Sequence, residues 1–82
     1  MNAEIMQYKG QLADLKYKLQ EQEIEAKGLI AHIRMNLNPF QEDVTAIETA
    51  QISQSAARLD NIVKEMRKMK MQIKDIEDAL NV

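Results

Sequence analysis

A single proline between two long heptad repeats constrains this chain more than any other feature. Before it, Ile5, Leu12, Leu19, Ala26 and Ile33 recur every seven residues, with Tyr8, Leu15 and Leu29 following three residues after the first, second and fourth of them. After it, Ile52, Leu59, Met66, Ile73 and Leu80 keep the same period, joined by Ile62, Met69 and Ile76. Such spacing lays an apolar stripe along one side of an α-helix, and that stripe must be covered by another helix. Nowhere does the alternation of a half-buried strand persist beyond a few residues. Proline disfavours helical geometry in the residue before it and suits the first position of a new helix. Asn38 then stands as N-cap, Gln41 as its capping-box partner, and Glu42 and Asp43 complement the helix dipole. These signals predict helix 1 over about residues 2–36, a turn at about 36–39 and helix 2 over about 39–80, within a single helical-hairpin domain spanning 1–82.

A turn this short forces the helices antiparallel. One register aligns both heptads: Ile5 with Ile76, Tyr8 with Ile73, Leu12 with Met69, Leu15 with Met66 and Leu19 with Ile62. It continues through Gln22 with Leu59, Ala26 with Ser55 and Leu29 with Ile52, and centres the turn beside Pro39. Ala26 and Ser55, next to Gln22, predict a thin and partly polar waist. Ile30, Ile33, Leu37, Phe40, Val44 and Ile47 predict a wider apolar plug near the turn, with Phe40 packed beneath it.

Helix 1 carries a second stripe on its back: Met6, Gly10, Ala13, Tyr17, Ile24, Gly28, Ala31 and Met35. Both glycines of the chain lie in it, and each costs about 1 kcal/mol in a helix interior relative to alanine. Close approach of another helix accounts for tolerating them. The stripe is also symmetric about its midpoint, Met6 matching Met35, Gly10 matching Ala31, Ala13 matching Gly28 and Tyr17 matching Ile24. A two-fold contact needs a self-complementary patch. The expected object is therefore a homodimer in which helix 1 packs antiparallel on its copy. The fold class is all-α: an antiparallel, coiled-coil-like two-helix hairpin dimerising into a four-helix assembly.

Composition narrows what such an object can do. Eighty-two residues without tryptophan or cysteine allow a small aliphatic and methionine-rich core, with no disulfide framework and no thiolate metal site. The absence of thiols agrees with a cytoplasmic location. The apolar runs are too short for a membrane span, and the early acid in MNAEIMQYKG argues against a signal peptide. A net charge of −2 gives no global pull toward nucleic acid.

Chemistry-bearing residues are few. His32 is the one histidine, and a metal site needs several convergent ligands, so a solvated histidine is expected. Helical spacing spreads Glu21, Glu23 and Glu25 around the cylinder, whereas acid–base chemistry needs a pocket that shifts a pKa. No phosphate-binding glycine loop and no nucleophile triad can be assembled. No catalytic residue and no cofactor are assigned, and the chain is not expected to be an enzyme. The stretch 64–74 places Lys64, Arg67, Lys68, Lys70 and Lys74 among methionines and isoleucine. It could meet phosphates or an acidic partner, but Asp75, Glu77 and Asp78 follow at once. A solvated flank beside the seam residues Met66, Met69 and Ile73 is the favoured reading.

The turn and its surroundings resemble a set of small two-helix proteins of Mu-like transposable bacteriophages. The resemblance covers roughly two thirds of the chain, from Leu29 to Leu80, and rests on Ile33-Arg34, Leu37-Asn38-Pro39-Phe40, Glu42-Asp43 and the closing Ala79-Leu80. It implies a phage accessory protein in the bacterial host cytoplasm and carries no activity with it. The expected function is a protein–protein interaction module that binds an unidentified host or phage protein. The alternatives are a nucleic-acid-associated regulator using residues 64–74 and a structural assembly subunit.

Overall fold

The computed structural model describes residues 2–80, so residues 1, 81 and 82 of the expected domain lie outside the described residues. Two helices pack side by side, α1 over Asn2–Asn36 and α2 over Thr49–Ala79, with a single 3-10 turn, Val44–Ala46, in the connector between them. The long axis measures 65 Å against 16 and 15 Å across. The first helix ends where its sequence predicts.

The second helix begins ten residues later than expected, at Thr49 rather than Pro39. Asn38 does not cap a helix. Its Oδ1 accepts from Phe40 N at 3.0 Å, and Gln41 N donates to the Asn38 carbonyl at 3.2 Å, which closes a turn on itself. Asp43 then caps the 3-10 turn, its Oδ1 accepting from Thr45 N at 3.0 Å and from Thr45 Oγ1 at 2.6 Å. Asparagine and aspartate win these local bonds in competition with helix formation. The β-branched Val44, Thr45, Ile47 and Thr49 that follow lose side-chain freedom in a helix. Helical bonding resumes with Ile52 N donating to the Glu48 carbonyl at 3.2 Å.

The longer connector shifts the register by one heptad. Arg58 Nη2 lies 2.8 Å from Glu25 Oε1 and Lys16 Nζ lies 3.5 Å from Glu77 Oε2. In an antiparallel pair, flanking positions meet in this way only when Leu12 faces Ile76, Leu15 faces Ile73, Leu19 faces Met69 and Ala26 faces Ile62. The expected register is therefore corrected, and two physical terms explain the correction. It would have set Lys16 against Lys70 and Lys18 against Arg58, whereas the observed one matches opposite charges at both places. It would also have stacked Ala26 on Ser55, leaving a hole. The observed pairing gives Ala26 a large partner, Ile62, which among the described residues is the one fully buried large side chain, at 0 % exposure. Lengthening a connector from about four to twelve residues costs only about 1 kcal/mol, so packing and charge prevail. The expected waist is thereby divided, Ser55 facing Ile33 and Gln22 facing Met66.

The apolar plug does not form. Phe40 is 87 % exposed, and Val44, Leu37 and Ile30 are exposed as well. Only Ile33 and Ile47 are half-buried. With the turn centred near Val44 instead of Pro39, the connector projects beyond the seam and carries these side chains into solvent.

Candidate interaction surface

The inward face of α1 is occupied. Ala26 is buried, and Leu12, Leu15, Leu19, Gln22, Leu29 and Ile33 are half-buried against α2. Its margins are closed by polar links across the seam: the two ion pairs above and a hydrogen bond from Gln22 Nε2 to Glu65 Oε2. The Glu25 carboxylate receives Arg58 through both Nε and Nη2, and this bonding holds the guanidinium pKa above its ordinary value. Gln22 Oε1 is buried without a partner, the one polar imperfection of the seam among the described side chains.

The outward face is bare. Met6, Gly10, Ala13, Tyr17, Ile24, Gly28, Ala31 and Met35 are all exposed, Ile24 to 73 % and Met35 to 80 %. A Cβ built on Gly10 or Gly28 meets nothing within 4 Å. The protomer thus offers no packing reason for either glycine. The stripe is opposite the seam because its residues fall half a turn away from the heptad positions. Leu37, Phe40 and Val44 of the connector that follows are exposed as well. Phe40, expected beneath the turn, is instead exposed on the connector. The Asp43-x-Thr45 pair, which favours a local cap over helix, was the available signal.

The basic stretch lies elsewhere. Lys64, Arg67, Lys68, Lys70 and Lys74 are exposed on α2, Lys68 beside a groove along the seam, and Lys64 Nζ is held 2.9 Å from Asp60 Oδ2 of its own helix. His32 sits at the end of α1, its carbonyl accepting from Asn36 Nδ2 at 2.8 Å. Among the described residues no three histidine, cysteine or acidic side chains converge as a metal site would require. Two shallow grooves follow the seam. One of about 490 Å³ is lined by Gln11, Asp14, Leu15 and Ile76, and one of about 330 Å³ by Lys18, Gln22, Glu65 and Met69. Among the described residues no helix is long and apolar enough to cross a membrane.

Fold and surface together define an antiparallel helical hairpin with one unpartnered apolar helix face. No protein-family model, curated protein or solved structure matches this chain.

Proposed function

We propose that this chain is a non-enzymatic protein–protein interaction module that acts as a homodimer, two hairpins joined through the outward faces of α1. The observation that carries this reading is the fully exposed apolar stripe with open space above both glycines. Magnitudes support it. A compact monomer of 9.4 kDa exposes about 5,000 Å², whereas the hairpin exposes 6722 Å². The excess is about twice what each partner contributes to a standard protein interface, about 800 Å². Among the described residues only Ala26, Ile62 and Ile73 are buried apolar residues, too small a core to secure a hairpin alone. Because the stripe lies opposite the seam, the assembly is a row of four helices with the two α1 helices in the middle.

The connector, with Phe40 exposed on it, is left free in such an assembly and is the surface offered to a host or phage protein. Its Leu-Asn-Pro-Phe turn carries the resemblance to the two-helix proteins of Mu-like bacteriophages, and the chain is accordingly read as a phage accessory protein in the bacterial cytoplasm. The basic residues of α2 remain a solvated flank. Light scattering on the purified protein tests the dimer. The parent is expected at twice the mass of one chain and Gly28→Glu at one, with unchanged helicity by circular dichroism. A variant as dimeric as the parent contradicts the interface.

A further inference from the structure

The outward stripe of α1 is built from four small residues and four large ones, and two of the large ones are methionines. Met6 and Met35 stand at its two ends, about 44 Å apart along the axis, and are 72 % and 80 % exposed in the protomer. A second copy docked on the stripe in register meets a methionine at each end whichever way it runs: Met35 opposite Met6 when antiparallel, each residue opposite its counterpart when parallel. The other described methionines lie elsewhere. Met66 and Met69 are half-buried in the seam, and Met71 is exposed on α2.

A thioether is apolar and packs readily, whereas its sulfoxide is a polar group with a strong hydrogen-bond acceptor. Hydrogen peroxide makes the conversion in one step. The sulfur lone pair forms the S–O bond, the O–O bond breaks, and the second oxygen leaves with both protons as water. The stripe cannot satisfy the new oxygen. Its one side-chain donor is the Tyr17 hydroxyl, about 17 Å along the axis from Met6 and about 27 Å from Met35. A docked copy would therefore strip water from the sulfoxides and return no hydrogen bond. Exposure adds a second condition, because peroxide attack follows accessibility. The two sulfurs are open in the free protomer and covered once a second copy is docked, so only free protomers are oxidised.

We propose that Met6 and Met35 are modification sites that make self-association sensitive to peroxide: oxidation of the free protomer at both ends of the stripe blocks docking, and reduction of the sulfoxides restores it. The inference rests on the homodimer reading and holds for either direction of docking.

The test uses the full-length protein, oxidised with hydrogen peroxide at low protein concentration, freed of peroxide, concentrated and sized by light scattering. Mass spectrometry reports which methionines carry oxygen, and circular dichroism reports the hairpin. The oxidised parent is expected at the mass of one chain with unchanged helicity, its dimer dissociation constant raised about a hundredfold by the unpaired sulfoxides. Treatment with methionine sulfoxide reductases should return it to the mass of two. Met6→Leu/Met35→Leu keeps the apolar contact without the sulfur and should remain dimeric after peroxide, whereas Met71→Leu should respond as the parent does. Met6→Gln/Met35→Gln, polar from the start, should run as one chain without any peroxide. A parent that stays dimeric with sulfoxide at both positions, or a dimeric glutamine variant, overturns the switch and leaves the homodimer intact. Dissociation of the oxidised leucine variant, or loss of helicity along with dissociation, assigns the effect to Met66 and Met69 and overturns it equally. An untreated parent that runs as one chain at every concentration overturns the homodimer itself.

Discussion

The two faces of α1 are built on the same backbone with similar side chains, yet only one of them is complete. On the inward face the apolar layers from Leu12 to Ile33 are covered by α2, with Ile5 and Tyr8 beyond them exposed, and the margins are linked across the seam by Glu25 with Arg58, Lys16 with Glu77 and Gln22 with Glu65. On the outward face the apolar layers are bare, with no side chain of α2 against them. The difference teaches that apolar spacing says where a helix packs, whereas the charges beside it say in which register.

Substitutions of one residue type on the two faces should separate them. Ile62→Ala removes the fully buried side chain of the seam and is expected to cost about 2–5 kcal/mol, enough to abolish a cooperative melt followed by circular dichroism. Ile24→Ala, at an exposed position, should leave the melt of the dilute protomer within about 0.5 kcal/mol of the parent while weakening self-association. Comparable losses of protomer stability from both would contradict the distinction.

Enlarging a small residue should have opposite signs on the two faces. Ala26→Leu crowds the layer that already holds Ile62 and is expected to destabilise by about 1–3 kcal/mol. Were Ala26 opposite Ser55, the same change would fill a void and stabilise, so chemical denaturation reads the register directly. Gly10→Ala, with nothing within 4 Å of the new methyl, should stabilise the protomer by about 1 kcal/mol through helix propensity alone.

The smallest expected effect lies in the connector. Bonds from the Thr45 hydroxyl, and then from its backbone N–H, hold the Asp43 carboxyl below its ordinary value of 3.8. A depressed carboxyl contributes its bonding fully above that ordinary value and loses it as pH falls through the lowered one. Acidification below about pH 4 should therefore release the Thr45 amide, visible as a fall in its hydrogen-exchange protection relative to the free-chain rate at the same pH, before the seam residues respond. Simultaneous loss at Thr45 and Ile62 would show that the cap and the hairpin are one unit.

Much of this was legible in the residues themselves. Two heptad runs around Pro39 predict two antiparallel helices, and the end of α1 falls where its pattern stops. The eight-residue outward stripe was legible too, because its members share a helical face and can be identified without knowing the fold. The start of α2 was not, because Asn38 and Asp43 suit a cap and a local turn equally well. The register followed from that error: heptads match again after any slip of seven residues, and hydrophobic spacing alone cannot distinguish the two matches. The information was present in the pairs Lys16–Lys70 and Lys18–Arg58, whose repulsion excludes the tighter turn. Exposure of Phe40 then follows from the connector, not from any property of the aromatic ring.

Methionine oxidation tests the central claim most directly, because the chain supplies its own control. Met6, Met35 and Met71 are 72 %, 80 % and 69 % exposed in the protomer, the first two on the outward face of α1 and the third on α2. Peroxide oxidation followed by mass spectrometry over a dilution series should find Met6 and Met35 protected at high protein concentration and Met71 reactive throughout. Equal oxidation rates at the three sites at every concentration would contradict the account.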